Sequence, residues 1–205
     1  MPNELLLLII SSPSGAGKTT LTRDLLSTFP DLTFSVSHTT RKPRANERDG
    51  YDYHFISAER FDEMVKAGRF AEWAHVHGNS YGTSLDEIDR AEREGKSGIV
   101  FDIDYQGARQ IKKARSNAIG VFVLPPSMRE LKERLRNRAS DDEETIERRY
   151  KNARREIENY DAFDYVLVND DLEQAKTRLR AIVLAERSRL SWMAERAKAL
   201  LAGSD

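Results

Sequence analysis

Near its start the chain carries six apolar residues in a row, 5–10, before any polar side chain interrupts. A run that short and unbroken suits a strand covered on both faces, as in a parallel sheet. A turn of small residues follows at 11–17, and then Leu21, Leu25, Leu26 and Phe29 recur at helical spacing among polar neighbours. The pattern predicts strand, glycine-rich loop, helix. Alternation at 34–37 predicts a short strand, and Pro43 argues against a helix through 38–44. Residues 46–50 read as a turn, and Tyr51, Tyr53 and Phe55 alternate as in another strand. Ser57 is placed to cap a short helix carrying Phe61, Met64 and Val65, with Gly68 to end it. Residues 70–76 are strand-like, Gly78-Asn79 turn-like, and Ser84 with Glu87 forms a capping-box pattern opening a helix that ends near Gly95. Strands this close together, without long crossover helices, predict an α+β insertion over 37–95.

The wider pattern then resumes. Residues 98–104 read as an apolar strand ending in acid, followed by a helix with Ala108 and Ile111. Residues 118–124 read as a buried strand stopped by Pro125-Pro126. Ser127/Glu130 and Ser140/Glu143 are two further capping boxes. Their helices carry Leu131 and Leu135, then Ile146, Tyr150, Ala153 and Ile157. Residues 164–169 form the last predicted strand. One long helix over 172–201 closes the chain, with Leu179, Ile182, Val183 and Ala197 on its apolar stripe. Strands alternating with helices imply an α/β fold with a parallel sheet and helices on both faces. Ligands in such folds bind at the C-terminal ends of the strands. The expected organisation is a core over 1–36, 96–126 and 156–205, an insertion over 37–95 and a helical lid over 127–155.

Composition narrows the partners. Of 205 residues, 39% are apolar and 33% charged, which fits a globular chain with a polar surface. The net charge of −1 provides no global field to attract nucleic acid. Without cysteine there are no disulfides and no thiolate zinc sites. No stretch approaches the ~20 apolar residues of a membrane span, and residues 5–10 are too short, and lack a basic flank, for a signal-peptide core. The expectation is a cytoplasmic protein with no nucleic-acid or membrane partner.

The candidate chemistry begins at the loop. Ser12, Pro13, Ser14, Gly15, Ala16, Gly17, Lys18, Thr19 and Thr20 lie between a strand and a helix N-terminus, whose unpaired N–H groups favour phosphate. Small residues let loop N–H groups converge on phosphate oxygens. Lys18 adds a cation for the β- and γ-phosphates, and the Thr19 hydroxyl can ligate Mg²⁺. The loop resembles a P-loop, with Ser12 where the general pattern has glycine, and so points to a P-loop NTPase-type sheet. Arg41 and Arg44 flank Pro43, and their forks match phosphate oxygens. Tyr53 and Tyr81 could add phenolic donors, and a solvated basic loop is the competing reading. Glu72 sits in a largely apolar stretch, where an unpaired carboxylate is costly. As an acceptor only, it would favour guanine, whose N1–H and N2–H₂ are adjacent donors, over adenine. Ser37 and Thr83 could help read the same base, and a salt bridge on an exposed strand face is the alternative for Glu72. Asp102 and Asp104 end the third core strand, where an acid in a P-loop protein commonly serves Mg²⁺. Alternation puts both on one face, unless one merely caps the next helix. Residues 129–155 are rich in arginine but interleaved with acids, which argues against an RNA-binding face. Most of these arginines are expected to be solvated or paired, with a few in a lid that closes over a reacting phosphate.

The segments SPSGAGKTTL, FSVSHTTRKPR, GYDYHF, FAEWAHVHGNSYGTS, FDIDYQG and YVLVNDD, in this order and spacing, resemble guanylate kinases over about residues 5–185. The resemblance implies a parallel core that carries ATP, an insertion that carries GMP, and a lid that closes over both. The implied reaction moves the ATP γ-phosphate to GMP, giving ADP and GDP, in purine nucleotide metabolism. It implies that Arg41, Arg44, Tyr53 and Tyr81 hold the GMP phosphate and that Ser37, Glu72 and Thr83 read guanine. By the same resemblance, Asp102 and Asp104 would lie near GMP and the metal, with Thr19 and Asp102 serving the metal. Lys18, Arg41, Arg134, Arg138 and Arg149 are the implied catalytic cations, and Asn169 lies beside the adenine. Two other readings are a non-catalytic interaction module and a P-loop kinase for another acceptor. Intact Lys18, Thr19, Arg41 and Arg44 oppose the first, and Glu72 with Ser37 and Thr83 opposes the second. The apolar stripe of the C-terminal helix fits both a fold-back onto the core and a homo-oligomer.

Overall fold

The computed structural model of the chain describes residues 5–76, 78–137 and 142–203. In chain order the first elements are β1 (Leu6–Ser11), α1 (Lys18–Thr28), β2 (Leu32–Phe34), β3 (His38–Thr39), β4 (His54–Phe55), α2 (Ala58–Lys66), β5 (Phe70–Val76), β6 (Asn79–Ser84) and α3 (Leu85–Arg93). There follow β7 (Gly98–Asp102), α4 (Tyr105–Ala114), β8 (Ile119–Leu124), α5 (Met128–Arg136), α6 (Glu143–Ile157), β9 (Tyr165–Val168), α7 (Leu172–Arg187) and α8 (Leu190–Leu201).

The apolar run becomes β1, the centre of a five-stranded sheet in the order β2-β7-β1-β8-β9, with every neighbouring pair parallel. Period-two alternation explains why no polar residue interrupts it. Leu6, Leu8 and Ile10 pack with Leu21 and Leu25 of α1 and Leu179 and Val183 of α7. Leu5, Leu7 and Ile9 pack on the other face with Ile88, Ala108 and Ile111. Both faces are covered, and the C-terminal ends of β1 and β7 are left to carry the site.

The insertion between β2 and β7 is a mixed four-stranded sheet, β4-β3-β6-β5, with α2 and α3. Ser57 caps α2 as its spacing predicts, accepting from Arg60 N–H, and Phe61 stacks on Phe70 with 4.6 Å between ring centroids. Within α5 and α6, Leu131, Leu135, Ile146 and Ala153 form a small core of their own.

Several elements differ from the sequence pattern. The strand expected at 34–37 is β2, shifted to Leu32–Phe34, because Leu32 buries against Gly98, where a Cβ would strike Leu6 and Leu32. The strand expected around 51–55 shrinks to His54–Phe55. Here Asp52 accepts from Arg48 N–H at 2.8 Å and Asp49 from Phe55 N–H at 2.9 Å, which staples the preceding residues into a loop. β6 was hidden by its polar composition. Ser84 precedes α3 without a side-chain cap bond; Glu87 instead accepts from Val36 N–H at 2.7 Å and pairs with Arg90. Ser127 does cap α5, but Glu130 turns to Arg134 rather than back to the cap. Ser140 lies outside the described residues, and Asp142 caps α6 through Thr145 N–H at 2.7 Å. The expected single C-terminal helix is two, broken at Ser188 and Arg189. Buried Glu186, held by Arg189 and the Tyr165 hydroxyl, fixes that corner, and Ala197 is exposed rather than packed.

Candidate active site

The loop between β1 and α1 depends on backbone that L side chains rarely adopt: Gly15 and Gly17 have φ of 94° and 97°. A Cβ at Gly17 would also collide with the Asn169 amide, which donates to the Ala16 carbonyl at 2.7 Å. Asn169, just beyond β9, therefore clamps the loop. Leu131 and Leu135 of α5 pack over Gly15. Helix α1 starts with a glycine N-cap, no side-chain cap bond and no acid in its first turn. Its leading N–H groups and partial positive charge thus meet no carboxylate from their own helix.

A cavity of about 340 Å³ opens over this loop. It is lined by Ser12, Pro13, Ser14, Gly15, Gly17, Lys18 and Thr19 of the loop, by Ser37, Tyr53, Glu72, Ala74, Val76 and Tyr81 of the insertion, by Asp102, Asp104 and Tyr105 at the end of β7 and beyond it, and by Arg149, Asn152 and Glu156 of α6. A register shift between Phe70 and Glu72 re-aims β5. From there alternation brings Glu72, Ala74 and Val76 to the cavity side.

Glu72 is 4% exposed, which rules out the salt bridge on an exposed face. Burial pushes its carboxyl up to about 7, against a hydrogen bond from Thr83 that pulls the other way and Asp104 that adds to the rise. Thr83 is paired opposite it in the sheet, and the Thr83 and Ser37 hydroxyls are 3.2 Å apart. The three residues expected to read a base are thus one hydrogen-bonded group. Gly107 makes room for it, since a Cβ there would strike the Glu72 carboxylate. Gln110 fixes the strand beside it, its amide accepting from Trp73 N–H at 3.2 Å and donating to Trp73 carbonyl at 2.7 Å. In this way α4 of the core grips the open edge of the insertion sheet.

Lys18 Nζ donates to Asp102 Oδ1. Asp104 does not continue the strand: β7 ends at Asp102, and Asp104 caps α4 by accepting from Gln106 and Gly107 N–H at 3.0 Å each. It still faces the cavity. Burial, then Asp102, pushes the Tyr53 phenol up to about 12, so it stays protonated and able to donate. Arg44 lines the cavity, and Arg41 does not. Its fork grips Glu47 at 2.8 and 2.9 Å, and its guanidinium lies 5.4 Å from the Tyr53 ring centre. Arg134 also lies off the cavity, bonded to Glu130 at 2.6 Å and to the Asn169 carbonyl at 3.3 Å. Arg138 lies outside the described residues. Thr20 is exposed at the start of α1.

A metal that serves the phosphates would find the Thr19 hydroxyl and the Asp102 carboxylate on the same cavity, beside the loop. Among the described residues no group of three or more His, Cys, Asp or Glu side chains could form a protein-only cage. Sparse oxygen donors beside a phosphate loop fit Mg²⁺, which keeps waters and shares itself with substrate phosphates.

The model of the family described as guanylate kinase matches residues 5–186. The chain belongs to the guanylate kinase family. Its similarity to the guanylate kinase of Myxococcus xanthus is 52% identity over 90% of this chain and 88% of that one. With the guanylate kinase of Anaeromyxobacter dehalogenans it shares 54% identity, over 90% and 82%. Among solved structures, guanylate kinase from Anaplasma phagocytophilum superimposes with a TM-score of 0.76 at 33% identity, covering 92% of this chain and 89% of that one.

Several residues that shape this candidate site carry no signal of it in the sequence. Glu47 belongs to the turn-like stretch 46–50, three residues after Arg44. Gly107 and Gln110 lie in the FDIDYQG stretch and just after it, but nothing in one dimension connects them to Glu72. Glu156 lines the cavity from α6, and burial raises its carboxyl while Ser14 N–H, donating to it, opposes the rise. Only its helical phase, one turn beyond Asn152 and two beyond Arg149, could have signalled it.

Proposed function

We propose that this cavity places ATP on the loop and GMP on the insertion, and transfers the γ-phosphoryl group between them. Family membership makes the chain an ATP:GMP phosphotransferase; the residue roles are our reading. The observation that carries it is a buried acceptor-only carboxylate, Glu72, facing a phosphate-binding loop across one cavity. Guanine offers that carboxylate two adjacent donors, whereas adenine would set a ring nitrogen lone pair against its charge.

In the transfer, an oxygen of the GMP phosphate forms a bond to the γ-phosphorus, and the bond to the β–γ bridging oxygen breaks, leaving ADP and GDP. The acceptor oxygen is already anionic, so no general base is required. Placement and neutralisation of charge carry the step. Lys18, now paired with Asp102, is placed to turn to the β- and γ-phosphates, with Arg149 above it. Arg134 and Arg138 would approach as the lid closes, Arg41, Arg44, Tyr53 and Tyr81 hold the GMP phosphate, and Ser37 and Thr83 assist Glu72. Asn169 shapes the loop from beneath as well as flanking the adenine end. Thr19 and Asp102 would hold Mg²⁺, which when bound with ATP supplies positive charge at the phosphate oxygens. No helix of the described residues is long and apolar enough to cross a membrane; a cytoplasmic location is part of the proposal, following the nucleotide substrates.

Lys18→Ala tests the loop. GDP formation should fall by about 100-fold or more while the melting temperature stays near wild type. Wild-type turnover in a pure preparation would overturn the loop assignment.

A further inference from the structure

We propose that Glu47 is the positioning residue of the phosphate end of the GMP site, holding Arg41 and Arg44 in the arrangement that receives the acceptor phosphate. The inference rests on the GMP-kinase reading above. One carboxylate contacts both arginines. Its two oxygens accept from the two terminal nitrogens of Arg41 at 2.8 and 2.9 Å. Oε2 also accepts from Arg44 N–H at 2.8 Å, and Oε1 lies 3.8 Å from the Arg44 guanidinium. The Arg41 terminal nitrogen shared with Glu47 donates to the Lys42 carbonyl at 2.7 Å as well. A guanidinium held at its outer end by a carboxylate and a carbonyl has one orientation, with its inner edge left toward the site.

What lies on that inner side links Glu47 to the cavity. The Arg41 guanidinium is a hydrogen-bond partner of Tyr81 and lies over the ring of Tyr53. Tyr53 and Tyr81 meet edge to face, 6.0 Å apart, and both line the cavity. Glu47 thus orders the phosphate end of the site through Arg41, without lining that cavity itself. The Glu47 side chain is 15% exposed. Hydrogen bonds from Arg41, the largest cause, and from Arg44 N–H hold its carboxyl below the usual range against the rise that burial brings, so the pair stays charged near neutrality.

The distinguishing property is that Glu47 should matter for a phosphate and not for a base. Calorimetric binding of GMP and of guanosine is compared for wild type, Glu47→Gln and Glu47→Asp, alongside KM for GMP and for ATP. The near-isosteric Gln variant keeps volume and loses charge; the Asp variant keeps charge and shortens the reach. Glu47→Gln should weaken GMP binding and raise KM for GMP by about 10-fold or more, with guanosine affinity and KM for ATP within about two-fold of wild type. Glu47→Asp should recover part of the loss. Unchanged GMP affinity in a folded Gln variant, or equal losses for GMP and guanosine, would overturn the proposal. A wild-type protein that binds GMP no tighter than guanosine would instead overturn the parent reading, and the proposal with it.

Discussion

At the scale of single residues, the proposed choice of guanine rests on a carboxylate that the fold keeps out of water. Burial raises the Glu72 carboxyl from the ordinary 4.5 to about 7. Between those values the folded protein without ligand binds more protons than the unfolded chain. Its stability should therefore fall as pH rises from about 4.5 toward 7 through this group. Guanine needs the ionised form, so GMP binding should strengthen as pH rises through the same range and should release a proton from Glu72. Glu72→Gln places a donor where guanine also donates. It should cost about 1.5–3 kcal/mol of transition-state binding, or roughly 10- to 100-fold in kcat/KM for GMP, leave KM for ATP unchanged, and flatten the Glu72 part of the pH profile. Equal losses for GMP and ATP would mean that Glu72 is structural. The structure brings Glu72, Ser37 and Thr83 together, and the sequence offers a hint of it, an acid in an apolar strand with two hydroxyls, while leaving an exposed salt bridge open for Glu72. Glu47 was not legible, because a carboxylate in a polar loop looks solvated until the chain folds it onto Arg41. Asp104 shows the reverse limit, since strand alternation assumed a strand that ends at Asp102.

At the scale of elements, apolar periodicity predicted what burial decides and missed what polar contacts decide. β1 and α1 were legible because both faces of the strand and one face of the helix are core. β6 was not, because Gly82 and its hydroxyl neighbours face the site or a close-packed strand: a Cβ at 82 would crowd Phe70 and Trp73. The break between α7 and α8 was missed because an apolar stripe continues across it, while the bend is set by the buried carboxylate of Glu186. Beyond the break, α8 has no buried side chain; Trp192 is half-buried against the core, and Leu201 is 90% exposed. Ending the chain after Met193, which keeps Trp192, should therefore lower the melting temperature by less than about 4 °C, an effect of under about 1 kcal/mol, and leave turnover intact. A large loss of either would show that α8 carries more of the fold or site than its burial indicates.

At the scale of the whole molecule, three parts converge on one cavity: a parallel core with the loop, an insertion with the buried acid, and helix α6 with Arg149 and Glu156. The joins between them are specific. Gln110 ties the core to the edge of the insertion sheet, Asn169 ties the last core strand to the loop, and Leu131 and Leu135 pack α5 against Gly15. If the loop and the acid serve one reaction, the choice of acceptor reveals it. The most direct measurement is ADP formation from Mg-ATP with GMP, AMP, UMP or no acceptor. The account predicts strong turnover with GMP and little above background with the others. Turnover with AMP or UMP comparable to that with GMP, or none with GMP, would contradict it.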